Sequence, residues 1–109
     1  MRVLFDNGVP RGVARALPGD AVEEARSRGW DRLTNGELLD AAEAAGFDVF
    51  VTTDRNLRYQ QNLEGRRIAI LVLSSARWRL IQRRLSTIAN AVAEAEPGTF
   101  GEIEIPTTE

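Results

Sequence analysis

Hydrophobic positions along this chain alternate between two rhythms. Short apolar runs occur at Arg2–Phe5, Phe47–Thr53 and Ile68–Leu73. The last two are continuous enough for strands buried on both faces of a parallel sheet. Between the runs, apolar residues recur at helical spacing. Val9, Val13, Ala14 and Leu17 flank Pro10, which suits a first helical turn, and Pro18-Gly19 ends that segment. Thr34-Asn35-Gly36-Glu37 reads as a cap with a capping-box glutamate, followed by Leu38, Leu39, Ala42 and Ala45 and closed by Gly46. A long helix is predicted from Trp78 to Ala95, with Leu80, Ile81, Leu85, Ile88, Ala89 and Val92 on one side. Two segments are less decided. Ala21–Ala25 fits a second strand by its alternation and a helix by its propensity, and Phe100–Ile105 alternates as an edge strand would. The order of elements predicts a single α/β domain with a mostly parallel central sheet, helices on both faces and right-handed crossovers.

Composition narrows the chemistry. The chain has 109 residues with 43% hydrophobic content, enough for one small core. No segment approaches the roughly 20 apolar residues of a membrane span, and no secretory leader is evident, so a soluble, cytoplasmic protein without a membrane partner is expected. Cysteine and histidine are absent, which excludes disulfides, thiolate nucleophiles, the usual zinc and haem ligands and imidazole acid/base chemistry. All 14 basic residues are arginine. That removes lysine Schiff bases and the P-loop lysine, and it weakens a receiver-domain reading, whose pattern includes a lysine near the last strand.

What remains is oxygen chemistry. The first run ends on Asp6 and the central run on Asp54, with Glu37 in a helical pattern between them. Ligands of open α/β sheets bind at the carboxyl ends of the strands, so three carboxylates converging there form a candidate site for a hard divalent cation. A metal-dependent reaction on phosphate is the leading expectation.

Leu4-Phe5-Asp6, then Asn35-Gly36-Glu37-Leu38-Leu39, then Val51-Thr52-Thr53-Asp54-Arg55-Asn56-Leu57 resemble the DUF5615 group of PIN-like proteins, minimal relatives of the PIN-domain nucleases. The resemblance runs from Met1 to about Ile105, and Thr-Asp-Arg-Asn-Leu with the following Arg58-Tyr59-Gln60-Gln61-Asn62-Leu63 is its most specific part. It implies a ribonuclease that holds Mg²⁺ or Mn²⁺ with acidic side chains and hydrolyses RNA, often as the toxin paired with an antitoxin protein. Asp6, Glu37 and Asp54 match the catalytic and metal-holding positions. Many relatives have Asp-Glu where this chain has Asp6-Asn7, and aspartate where it has Asn35. Two charges are therefore replaced by amides, which ligate or orient water through a carbonyl oxygen but attract a cation less strongly.

Each residue also has a structural reading. Asp6 can end a buried strand by accepting from loop amides, Glu37 can serve only the cap, and Asn56 can be a helix cap as readily as a residue supporting the ligands. Arg55, Arg58, Tyr59, Gln60 and Gln61 form a polar cluster suited to stacking on a base and binding its edges, or to an interface. Arg66, Arg67, Arg77, Arg79, Arg83 and Arg84 give either a basic face or a mixed solvated one, the default at a net charge of −2. Trp30 and Trp78 are assigned to the core or an interface. A homodimer is expected, because so small a sheet has edges to cover. The rival to a nuclease is a catalytically silent PIN-like module that binds a protein or nucleic-acid partner and uses the same acids for loop order.

Overall fold

Strand pairing follows the apolar runs. The computed structural model describes residues 1–60 and 62–107, with the side chains of Arg58 and Gln60 outside that description. Strands β1 (Arg2–Phe5), β2 (Ala21–Glu24), β3 (Val49–Thr52), β4 (Ala69–Leu73) and β5 (Phe100–Ile103) form one sheet in the order β2-β1-β3-β4-β5. Every pairing is parallel. All residues of β3 and β4 are buried, as expected of central strands covered on both faces.

Register sorts the core into two layers. Val3 pairs with Val49 and Val49 with Ala69, while Leu4, Phe50, Ile70 and Phe100 form the neighbouring row that points the other way. The first face packs Val3, Phe5, Val51, Leu71 and Leu73 against Val13 of a 3-10 helix (Arg11–Ala16). Leu80 and Ile81 of α3 (Trp78–Ile81) and Ile88 and Val92 of α4 (Leu85–Glu94) complete that layer. The second packs Leu4, Phe50, Ile70 and Val72 against Leu38, Leu39 and Ala42 of α1 (Asn35–Ala44), together with Leu57 at the start of α2 (Leu57–Gln60). The chain is thus an α/β domain with helices on both faces of a parallel sheet, and no helix among the described residues is long and apolar enough to cross a membrane.

Helix α1 is fixed at both ends. Thr34 accepts from the Glu37 amide while Glu37 accepts from the Thr34 amide, the reciprocal capping box. At the other end Gly46, at φ +83°, bonds to the Glu43 carbonyl and Phe47 to that of Ala42, which is a Schellman stop.

Ala21–Glu24, open between strand and helix in the sequence, is a strand, because pairing with β1 overrides the helical propensity of its glutamates. Other elements differ from the sequence expectation. The segment after Pro10 winds as a 3-10 helix rather than an α-helix. Its six residues rise about 12 Å in that form against about 9 Å in an α-helix. The longer rise better matches the roughly 13 Å of a four-residue strand that the crossover must retrace. Gly12 allows the close approach, since a Cβ there would lie 2.4 Å from the Trp78 ring. The expected long helix from Trp78 is interrupted by a 3-10 turn at Gln82–Arg84, a polar stretch with no buried residue. The β3-to-β4 and β4-to-β5 connections step the same way along the sheet, but the first crosses the face of Leu57 and the second the face of α4. Their hands are therefore opposite, and uniform right-handedness does not hold.

Candidate functional site

Because β1 and β3 are parallel neighbours, the residues that follow them emerge side by side at the carboxyl edge. The connection leaving β1 crosses one face and that leaving β3 the other, which makes this gap the switch point where open α/β sheets place ligands. Asp6 and Asp54 sit there, both half-buried.

The two carboxylates belong to one hydrogen-bond network. Asp6 Oδ1 accepts from the Asn7 amide at 2.8 Å, and Oδ2 accepts from the Thr52 hydroxyl at 2.7 Å. Thr52 Oγ1 in turn accepts from the Asp54 amide at 3.0 Å. Asp54 Oδ1 accepts from the Asn56 amide at 3.0 Å, an Asx turn that leads into α2, and Oδ2 accepts from Asn35 Nδ2 at 3.0 Å. Among the described residues each of the four oxygens thus accepts one bond, which leaves a lone pair for a further partner.

Glu37 is placed differently. Its Oε1 accepts from both the amide and the hydroxyl of Thr34, each at 3.0 Å. Those Thr34 bonds, backbone first, hold its carboxyl below the ordinary value. No group of three or more metal-ligating acids is found among the described residues; Thr52 links Asp6 to Asp54, and Glu37 is engaged in the cap.

The two amides also differ. Asn35, the first residue of α1, donates to Asp54. Asn7 is fastened by three bonds: its amide to Asp6, its Nδ2 to the Asp31 carbonyl at 3.3 Å, and its own carbonyl accepting from Arg26 at 2.9 Å. Its buried Oδ1 has no partner among the described residues. Asn56 contributes its backbone amide to the Asp54 turn. Tyr59 on α2 is 80% exposed and Arg55 is exposed, beside the Asp54 turn. Gln61 and the side chains of Arg58 and Gln60 lie outside the described residues.

Two residues of this network carry no clear mark in the sequence. Thr52 looks like any β-branched strand residue, although a hydroxyl in a strand otherwise wholly apolar is a signal. Arg26 acts on a backbone carbonyl, which no side-chain pattern reveals.

A concavity of about 430 Å³, lined by Met1, Glu43, Phe47, Arg67, Ile68 and Pro97, opens at the opposite, amino edge. Burial acts to raise the Glu43 carboxyl. Arg66 and the amides of Arg67 and Ile68 outweigh that and hold it below the ordinary value. Those bonds tie α1 to the loop before β4, a structural role. The carboxyl edge therefore remains the better candidate for chemistry. A hard cation fits its donor set, since Mg²⁺ is commonly held by one or two carboxylates and keeps several waters. No protein-family model, no curated protein and no solved structure matches this chain.

Proposed function

We propose that this chain is a divalent-metal-dependent ribonuclease of the PIN-like, DUF5615 kind, acting in the cytoplasm as the toxin of a toxin–antitoxin pair. The observation that carries the reading is the Asp6–Thr52–Asp54–Asn35 network at the switch point. Asp6 and Asp54 would hold Mg²⁺ or Mn²⁺, and Glu37 supports them indirectly by fixing the start of α1, from which Asn35 reaches Asp54. A bound cation lowers the pKa of a coordinated water and neutralises charge on a phosphodiester. The chain's own residues do the rest. Asn35 and the Asn56 amide aim Asp54, Thr52 and the Asn7 amide aim Asp6, and Arg55 with Tyr59 offers a charge and a stacking face to single-stranded RNA. A homodimer covering the sheet edges belongs to the same proposal, and sedimentation showing only a 12.1 kDa species would reject that part.

Titration calorimetry with Mn²⁺, followed by cleavage of a mixed pool of single-stranded RNA, tests the activity. The expected result is one binding site and metal-dependent cleavage, both lost in Asp54→Asn. A second reading, a silent module binding a protein or nucleic-acid partner, is favoured by the Glu37 capping box and the absence of a three-acid group among the described residues. Wild type that neither binds Mn²⁺ nor cleaves RNA decides for it.

A further inference from the structure

We infer that Thr52 is a positioning residue whose hydroxyl holds Asp6 and Asp54 as a pair competent to bind a cation; this rests on the cation reading above. Thr52 is the one buried polar or charged residue among the described residues, at 0% exposure. It lies on the sheet face of Leu4, Phe50 and Ile70 and beside Val72, all buried and apolar. A hydroxyl costs free energy there unless it is bonded, and valine would fill the same volume without that cost. Packing alone therefore favours valine at position 52.

The hydroxyl is satisfied, and only by the site. Its single proton goes to Asp6 Oδ2, which fixes that carboxylate against the end of β1, and its oxygen accepts from the amide of Asp54 itself. One buried group on a rigid central strand thus sets both strand ends at once. Groups that orient a ligand without touching the metal are worth about 10–100-fold in metal affinity. The inference follows that Thr52 is retained for the carboxylate pair and not for the core.

The test titrates wild type, Thr52→Val and Thr52→Ser with Mn²⁺ by calorimetry, each with a melt in the absence of metal. Thr52→Val loses the bond to Asp6 and the one from the Asp54 amide, so it is expected to fold with a Tm lower by roughly 5–15 °C and, at a temperature where it is fully folded, to bind Mn²⁺ about tenfold or more weakly. Thr52→Ser keeps the hydroxyl and should bind within about threefold of wild type. Equal affinity in wild type and Thr52→Val overturns the inference and leaves the cation reading intact. Weak binding by Thr52→Ser as well as Thr52→Val also overturns it, since the methyl and not the hydroxyl would then matter. If wild type binds no Mn²⁺, the cation reading fails first and Thr52 has no ligands to position. Should Thr52→Val not fold, Thr52→Ala removes the hydroxyl without adding a methyl and repeats the comparison.

Discussion

Replacing Asn35 by aspartate adds a third carboxylate beside Asp6 and Asp54, and the structure lets its effect be worked out in advance. Asn35 Nδ2 donates to Asp54 Oδ2 at 3.0 Å, so Asn35→Asp exchanges a donor for a carboxylate directly against a carboxylate. Both residues are half-buried. Two like charges about 4 Å apart repel by about 4 kcal/mol at an effective dielectric of 20 and about 1 kcal/mol in bulk water, so about 2 kcal/mol is reasonable here. The lost hydrogen bond adds about 1 kcal/mol. A metal-free loss of about 3 kcal/mol in a domain of 109 residues lowers Tm by roughly 10–15 °C. On the cation reading Mn²⁺ should reverse the sign, because a cation held by both carboxylates would turn their repulsion into shared attraction. At 100 times its Kd, Mn²⁺ returns about 2.7 kcal/mol. The assay is thermal melting of both proteins over a Mn²⁺ series. The variant should start lower, gain more per decade of metal and bind more tightly. A variant that stays equally depressed at saturating Mn²⁺, with no larger metal-dependent gain than wild type, refutes the argument that Asp54 faces a cation.

Substitutions at three further positions separate structure from chemistry. Glu37→Gln preserves the capping-box pattern and should leave both Tm and Mn²⁺ affinity close to wild type, whereas Glu37→Ala should lower Tm alone; a large loss of metal affinity in Glu37→Gln would return Glu37 to the ligand set. Glu43, with its carboxyl held below the ordinary value of 4.5, stabilises the fold fully above that pH and loses its contribution as pH falls through the lowered folded value. Glu43→Gln should therefore be less stable than wild type near neutrality, with the gap closing in acid titrations followed by circular dichroism; a gap independent of pH would reject the linkage. Gly12→Ala drives a methyl to within 2.4 Å of the Trp78 ring and should destabilise by about 1–3 kcal/mol in urea unfolding without changing Mn²⁺ affinity.

Much of the fold was legible because burial leaves a periodic trace. The runs ending at Thr53 and Leu73 read as central strands and contain β3 and β4, and the Thr34 cap and Gly46 stop bracket α1 as expected. What the sequence does not carry is geometry set by the length of connections. Nothing in Val9–Leu17 distinguishes 3-10 from α winding until the reach of the crossover is known, and the break at Gln82–Arg84 falls where side chains make no core contact to leave a pattern. The site divides the same way. Asp6 and Asp54 were readable as strand-end residues, but whether Glu37 joins them depends on which way a glutamate at the third helical position turns. The sequence Thr34-Asn35-Gly36-Glu37 supports a cap and a ligand alike, and in the structure the two Thr34 bonds engage it in the cap.

The amide at position 35 explains how the pair persists without a third acid. Two carboxylates fastened to adjacent strands repel unless something between or beside them supplies positive potential. Among the described residues each oxygen takes one donor, from Asn7, Thr52, Asn56 and Asn35, so the protein itself holds the pair in place before any cation arrives. An aspartate at position 35 would remove one of those donors and add a charge, making metal-free stability and cation affinity opposing demands on the same residue. With asparagine there, the fold need not depend on a metal, and a cation held by the pair would use the lone pairs that the donors leave. On the proposed cation reading, modest affinity and tolerance of a metal-free state are the outcomes expected of that one side-chain amide.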